Sequence, residues 1–253
     1  MARVEPVLRR QHPRRDEQRT LIAVRDEIKQ LILDRQLNPG DPLPTESELV
    51  DLLRVGRNTV REALKSLQAL DLIDIRHGYG TYVGSMSLTP LADGLTFRLL
   101  QQMPDGVRGL TELLEIREDL EAALIRKVTP TIPADVVEGL DHLVDDLAAA
   151  RREGGDAIPA DRAFHQLLYR DLDNRLALQL LDTFWIVYQR LTARIEGLMQ
   201  PDELVDEHRA IVDALRAKDV TRAEKAVREH FSEIHGRLAR VPAAQPTTRR
   251  EKG

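Results

Sequence analysis

The sequence predicts a mainly α-helical chain in two parts: a small N-terminal unit ending in a hairpin, then an all-α antiparallel helical bundle. Apolar residues recur at helical spacing along most of the chain, proline and glycine interrupt them, and strand-like character is confined to LIDIRHGYGTYV, Leu72 to Val83. A length of 253 residues exceeds what one small core needs and suggests two modest domains.

Composition narrows the function classes. With 42% hydrophobic and 31% charged residues the chain reads as soluble and globular, and no apolar run approaches the ~20 residues of a membrane helix. The N-terminal MARVEPVLRRQHPRR has no apolar segment after its arginines, so it does not read as a secretory signal. The absence of cysteine excludes disulfide and thiolate chemistry and fits a reducing cytoplasm, and the lack of a long apolar run leads us to expect no membrane partner. The net charge of -5 is uneven: residues 1–84 hold 14 Lys+Arg against 13 Asp+Glu, leaving 23 against 29 in the remainder. A nucleic-acid binder need be basic only locally, so the overall acidity does not exclude one.

Residues 1–16 are expected to form a disordered arm. A first helix is predicted from about Arg19 to Arg35, with Leu21, Val24, Ile28, Leu31 and Ile32 as its apolar stripe, and LNPGDPLP ends it. Thr45, with Glu48 three residues on, has the pattern of a capping box and opens a short second helix. After Val55-Gly56, RNTVREALKSLQAL buries Val60, Ala63, Leu64 and Leu67 on one face and repeats Arg57, Arg61 and Lys65 every four residues on another. Alone, that cationic row would be a solvated face. Behind a short helix and a Gly-containing turn it becomes the second helix of a helix-turn-helix, the one that enters the major groove. The strand-like stretch follows as a hairpin, a wing beside the helices.

LPTESELVDLLRVGRNTVREALKSLQALDLIDIRHGYGTYV resembles the winged helix-turn-helix of GntR-family bacterial transcription regulators, over residues 17–84. The likeness rests on Leu43-Pro44, on Val60 to Leu64, and on Gly78, Gly80 and Thr81 in the wing. It implies DNA contacts by Thr45, Arg57, Asn58, Thr59, Arg61 and Lys65, with His77 and Gly78 reaching from the wing tip toward the minor groove. Ser47 stands where FadR-like members carry arginine, which removes a guanidinium able to read guanine and worth ~1–3 kcal/mol of discrimination.

Residues 85–90 read as a linker and residues 91–240 as the bundle, followed by a disordered tail at 241–253. Its helices are predicted over about 91–101, 110–128, 134–152, 160–171, 175–199, 202–217 and 221–240. Within it, Asp161 and His165 share a helix face at i, i+4. His208 and His230 each lie 11 residues from Asp219, so helices folding back at that point bring the two imidazoles to one height. Each histidine alone reads as a buried structural imidazole, and lone Trp185 with Tyr188 as packing. Three imidazoles and a carboxylate on faces rich in leucine and phenylalanine would cost several kcal/mol unsatisfied, and a divalent metal removes that cost. His235, five residues after His230, should turn away.

This pattern is similar to the FCD domain attached to FadR-like regulators, over roughly residues 90–240. The resemblance implies Asp161, His165, His208 and His230 as ligands of one divalent ion per chain, whose donor types suit Zn²⁺, Ni²⁺ or Mn²⁺. One Asp and three neutral His leave the site at about +1, with room on an octahedral ion for a small carboxylate effector, and Arg117 as a second anchor or merely the partner of Glu121. The expectation is a homodimeric repressor on a palindromic DNA operator. Three alternatives stay open: a purely structural metal, a metal-free acyl-CoA binder, and a metallohydrolase. Against the last stand the absence of HExxH and of any further inward carboxylate recognisable in the sequence.

Overall fold

The computed structural model describes residues 14–102, 107–155, 157–194 and 204–240. The expected tail at 241–253 lies outside these, as does most of the expected arm. The chain divides between Pro90 and Leu91 into two compact units, each with its own apolar core.

In the first unit α1 (Arg14–Asp34) buries Val24, Ile28 and Ile32. It begins five residues before the predicted start, so residues 14–16 are helical rather than part of a disordered arm. α2 (Glu46–Leu53) is capped by Thr45, whose hydroxyl accepts from Glu48 N–H while the Glu48 carboxylate accepts from Thr45 N–H, the reciprocal pair read from the sequence. The turn to α3 (Arg57–Gln68) places Arg54, not glycine, in the left-handed region at φ 55°, and Gly56 is the residue preceding the helix. β1 (Ile73–Arg76) and β2 (Gly80–Val83) form the antiparallel wing, with Ile73 opposite Val83 and Arg76 opposite Gly80. The wing has a further edge that the sequence concealed. Leu43 N–H donates to Thr81 O and Val83 N–H to Asp41 O, so the proline-rich break after α1 runs alongside β2.

The expected linker at 85–90 is shorter in the structure. Asp71 accepts from the Ser85 hydroxyl and from Ser87 N–H at 2.9 Å, tying the segment to the wing, and α4 (Thr89–Gln101) already begins at Thr89. Pro90 presets the helical φ of its first turn.

The second unit continues with α5 (Arg108–Val128), a short 3-10 turn (Thr129–Thr131), α6 (Ala134–Arg152), α7 (Ile158–Leu168), α8 (Arg175–Thr192), α9 (Leu204–Arg216) and α10 (Val220–Leu238). α8 does not run on unbroken to 199 as predicted: it closes at Thr192, after which Arg194 N–H turns back to Leu191 O at 3.0 Å. Residues 195–203 lie outside the described residues. α10 packs along both α5 and α9, and α6 along α7 and α9. Asp219 caps α10 through Arg222 N–H, and Lys218 at φ 53° makes the tight reversal between α9 and α10.

Gly84, where the wing leaves β2, tolerates no side chain, because a Cβ there would stand 2.4 Å from Asp71 O. Gly84→Ala is expected to lower stability by about 1–3 kcal/mol or more in denaturant titration, since the obstruction is backbone that cannot swing aside.

Candidate functional site

α3 presents the arrangement expected of a recognition helix. Val60, Ala63, Leu64 and Leu67 are buried, and Arg57, Asn58, Arg61 and Lys65 are exposed on the other side. Arg61 pairs with Glu46 at 3.1 Å and Lys65 with Glu62 at 2.9 Å. Such exposed pairs are worth little and exchange readily for phosphate. The Thr45 hydroxyl is engaged in the α2 cap, and Thr59 is half-buried. His77 and Gly78 occupy the exposed wing tip, where Gly78 at φ 80° and Gly80 at φ 114° allow the reversal. Behind them Arg76 stacks over the Tyr82 ring at 4.2 Å.

The bundle brings Asp161, His165, His208 and His230 together. All four are buried, and one ligand atom from each lies within 4.8 Å of the others. That span is close to the ~4.2 Å across an ion with bonds of about 2.1 Å. α7 supplies the first pair on successive turns, and the α9–α10 reversal brings His208 and His230 to a ring-centroid separation of 4.5 Å. His208 Nε2 is 3.0 Å, and His165 Nε2 3.4 Å, from Asp161 Oδ1. His230 is 1% exposed, and neither of its ring nitrogens has a hydrogen-bond partner among the described residues. That is the orphaned polar group a metal would satisfy, and the donor set fits a divalent ion.

α5 adds a group that the sequence left aside. Glu121 is fully buried; its Oε1 accepts from Arg117 Nε at 2.6 Å, its Oε2 lies 2.5 Å from His165 Nδ1, and its backbone carbonyl accepts from the Tyr169 hydroxyl at 3.3 Å. A further inward carboxylate therefore exists, contrary to the expectation, although both its oxygens are occupied. The i, i+4 relation to Arg117 was visible in the sequence, but its contact 44 residues away with His165 was not. Arg117 is the partner of Glu121, and its guanidinium also lies 3.9 Å over the Trp185 ring. Arg117 Nη2 and Trp185 Nε1 are buried without a hydrogen-bond partner among the described residues. A cavity of about 230 Å³ beside Trp185 is lined by buried His165, Tyr169 and Trp185 and by Gln166, Arg170 and Asp182; Arg117 is not among its lining residues. His235 faces Glu118 at 3.5 Å, apart from the four.

Electrostatics follow from burial. Burial alone would raise both carboxyls, but His165 and His208 hold Asp161 well below the usual range, and Arg117 and His165 hold Glu121 at about 2. Burial, aided by the neighbouring imidazoles, pushes His230 well down and keeps it neutral, the form that ligates. For His165 burial favours the neutral form, but Glu121 and Asp161 outweigh it and raise the pKa.

A winged helix-turn-helix followed by a helical bundle with a buried polar centre is the architecture of a DNA-binding regulator. The sequence matches the bacterial regulatory proteins of the gntR family over residues 22–83 and the FCD domain over residues 112–233. It is 28% identical over 219 residues to the HTH-type transcriptional repressor NanR of Cronobacter sakazakii, covering 83% of this chain and 82% of that protein. It is 26% identical over 215 residues to the HTH-type transcriptional regulator LutR of Bacillus subtilis, covering 83% and 96%. Among solved structures, Streptococcus agalactiae GntR aligns with a TM-score of 0.62 at 28% identity, over 85% of this chain and 99% of that one. The chain carries a gntR-family DNA-binding domain and an FCD domain; it is a DNA-binding transcriptional regulator.

Replacing Arg117 by Met should destabilise the metal-free chain by about 3 kcal/mol in denaturant titration, because it leaves the Glu121 carboxylate buried beside fewer partners. The double replacement Arg117→Met, Glu121→Gln should recover much of that loss.

Proposed function

We propose that the chain is a cytoplasmic homodimeric repressor, binding a palindromic operator and released from it by a small organic acid that binds at a metal centre in the FCD domain. One divalent ion per chain, Zn²⁺, Ni²⁺ or Mn²⁺, would be held by Asp161, His165, His208 and His230. The observation that carries this reading is the convergence of four buried donors around a His230 whose ring nitrogens are unpartnered. When bound, the ion supplies charge and open positions for a carboxylate. Arg117 can add a hydrogen bond through Nη2 while Nε stays on Glu121, so pairing with Glu121 and a role as effector anchor are compatible. The cavity of about 230 Å³ reaches the centre at His165 alone, and its size suits a small acid rather than an acyl-CoA.

In the N-terminal unit, Arg57, Asn58 and Thr59 would meet base edges at the start of α3, Arg61 and Lys65 phosphates, Thr45 the strand flanking α2, and His77 and Gly78 the minor groove. Regulation follows by linkage: an effector that favours one arrangement of the two units shifts the dimer between operator-competent and incompetent forms.

The reading is tested by operator binding with the metal-loaded and chelator-treated chain over a panel of small carboxylates. An acid that weakens operator binding only in the loaded sample is the expected outcome, and equal behaviour of the two samples would contradict the metal's role. Arg57→Ala should lower the preference for operator over random DNA, whereas Lys65→Ala should weaken both alike and reduce the salt dependence by about one counterion.

A further inference from the structure

His165 reaches the centre from α7 with its second ring nitrogen already committed. Its Nδ1 lies 2.5 Å from Glu121 Oε2, and an ionised carboxylate only accepts, so Nδ1 carries the proton. Nε2 then faces Asp161 Oδ1 at 3.4 Å, where an imidazole lone pair meets a carboxylate oxygen. That approach is repulsive unless a cation, proton or metal, lies between them. Glu121 is itself held from two directions. Arg117 Nε grips the other carboxylate oxygen at 2.6 Å, and the Tyr169 hydroxyl, from the end of α7, bonds the Glu121 backbone carbonyl at 3.3 Å. α5 thus fixes the rotation of a ring borne on α7.

From this we infer that Glu121 is the positioning residue of the metal centre: it holds His165 in the Nδ1–H form, so that Nε2 alone is offered to the ion. Arg117 completes a chain Arg117–Glu121–His165 whose last member is a ligand and whose first has a free nitrogen. A carboxylate on His165's outer nitrogen fixes the ring and raises its basicity as a ligand, and losing such a partner typically weakens metal binding ~10–100-fold.

The inference rests on the metal reading above, and the test separates the two. Zn²⁺ affinity is measured by chelator competition on the full chain, on Glu121→Gln, on His165→Ala and on the double variant. Glu121→Gln should weaken Zn²⁺ binding about 10–100-fold in the unsubstituted background, and by less than about twofold where His165 is already alanine. Equal affinity of Glu121→Gln and the unsubstituted chain would overturn the role, as would the same loss in both backgrounds, which would make Glu121 a general support of the bundle. No Zn²⁺ bound by the unsubstituted chain would overturn the metal reading and this inference with it. A measurement without substitutions gives the same decision: in the zinc-loaded chain labelled with ¹⁵N-histidine, His165 should keep a protonated Nδ1 and bind through Nε2, and ligation through Nδ1 would overturn the assignment.

Discussion

The bundle is organised around polar atoms that water cannot reach. Burying an imidazole or a carboxylate without a partner costs roughly 1–3 kcal/mol or more, and α5, α7, α9 and α10 each bring such a group into a core otherwise made of Leu110, Leu114, Phe164, Phe231 and their neighbours. Most of these groups satisfy one another. Arg117 neutralises Glu121, Glu121 takes one face of His165, and Asp161 takes His208. His230 is the ring left with neither nitrogen partnered among the described residues. Arg117 Nη2 and Trp185 Nε1 are likewise left without a partner among the described residues, so unmet polar atoms gather at and beside the centre.

The same constraint bears on the proposed regulation. A site neutral in every state would give an anionic effector no reason to choose it. Asp161 and Glu121 against Arg117 and the proposed divalent ion would leave about one positive charge, in a medium where such a charge is strongly felt. The DNA-binding unit has the opposite design: Arg61 and Lys65 on α3 are exposed and paired with nearby carboxylates, pairs that phosphate would replace at little cost.

Much of this was legible in the sequence because it depends on local periodicity. The Thr45 cap, the α3 face and the wing are short-range patterns, and the spacing of His208 and His230 about Asp219 predicted a tertiary contact because antiparallel helices reflect sequence distance about their turn. What stayed hidden depends on contacts between distant segments or on weak stop signals. The pairing of residues 41–43 with β2 lies in a stretch that proline marks as irregular, and the early end of α8 at Thr192 has no glycine or proline to announce it. Glu121 shows only its i, i+4 arginine in the sequence, while its partner His165 belongs to another helix.

The account turns on whether Asp161, His165, His208 and His230 hold an ion. The direct measurement is elemental analysis of the protein purified without added metal or a chelating tag, beside the variant His208→Ala, His230→Ala. The account predicts about one divalent ion per chain, lost in the variant. No ion in either sample after incubation with Zn²⁺, Ni²⁺ or Mn²⁺, or an equal content in both, would contradict it and return these histidines to a structural part in the bundle.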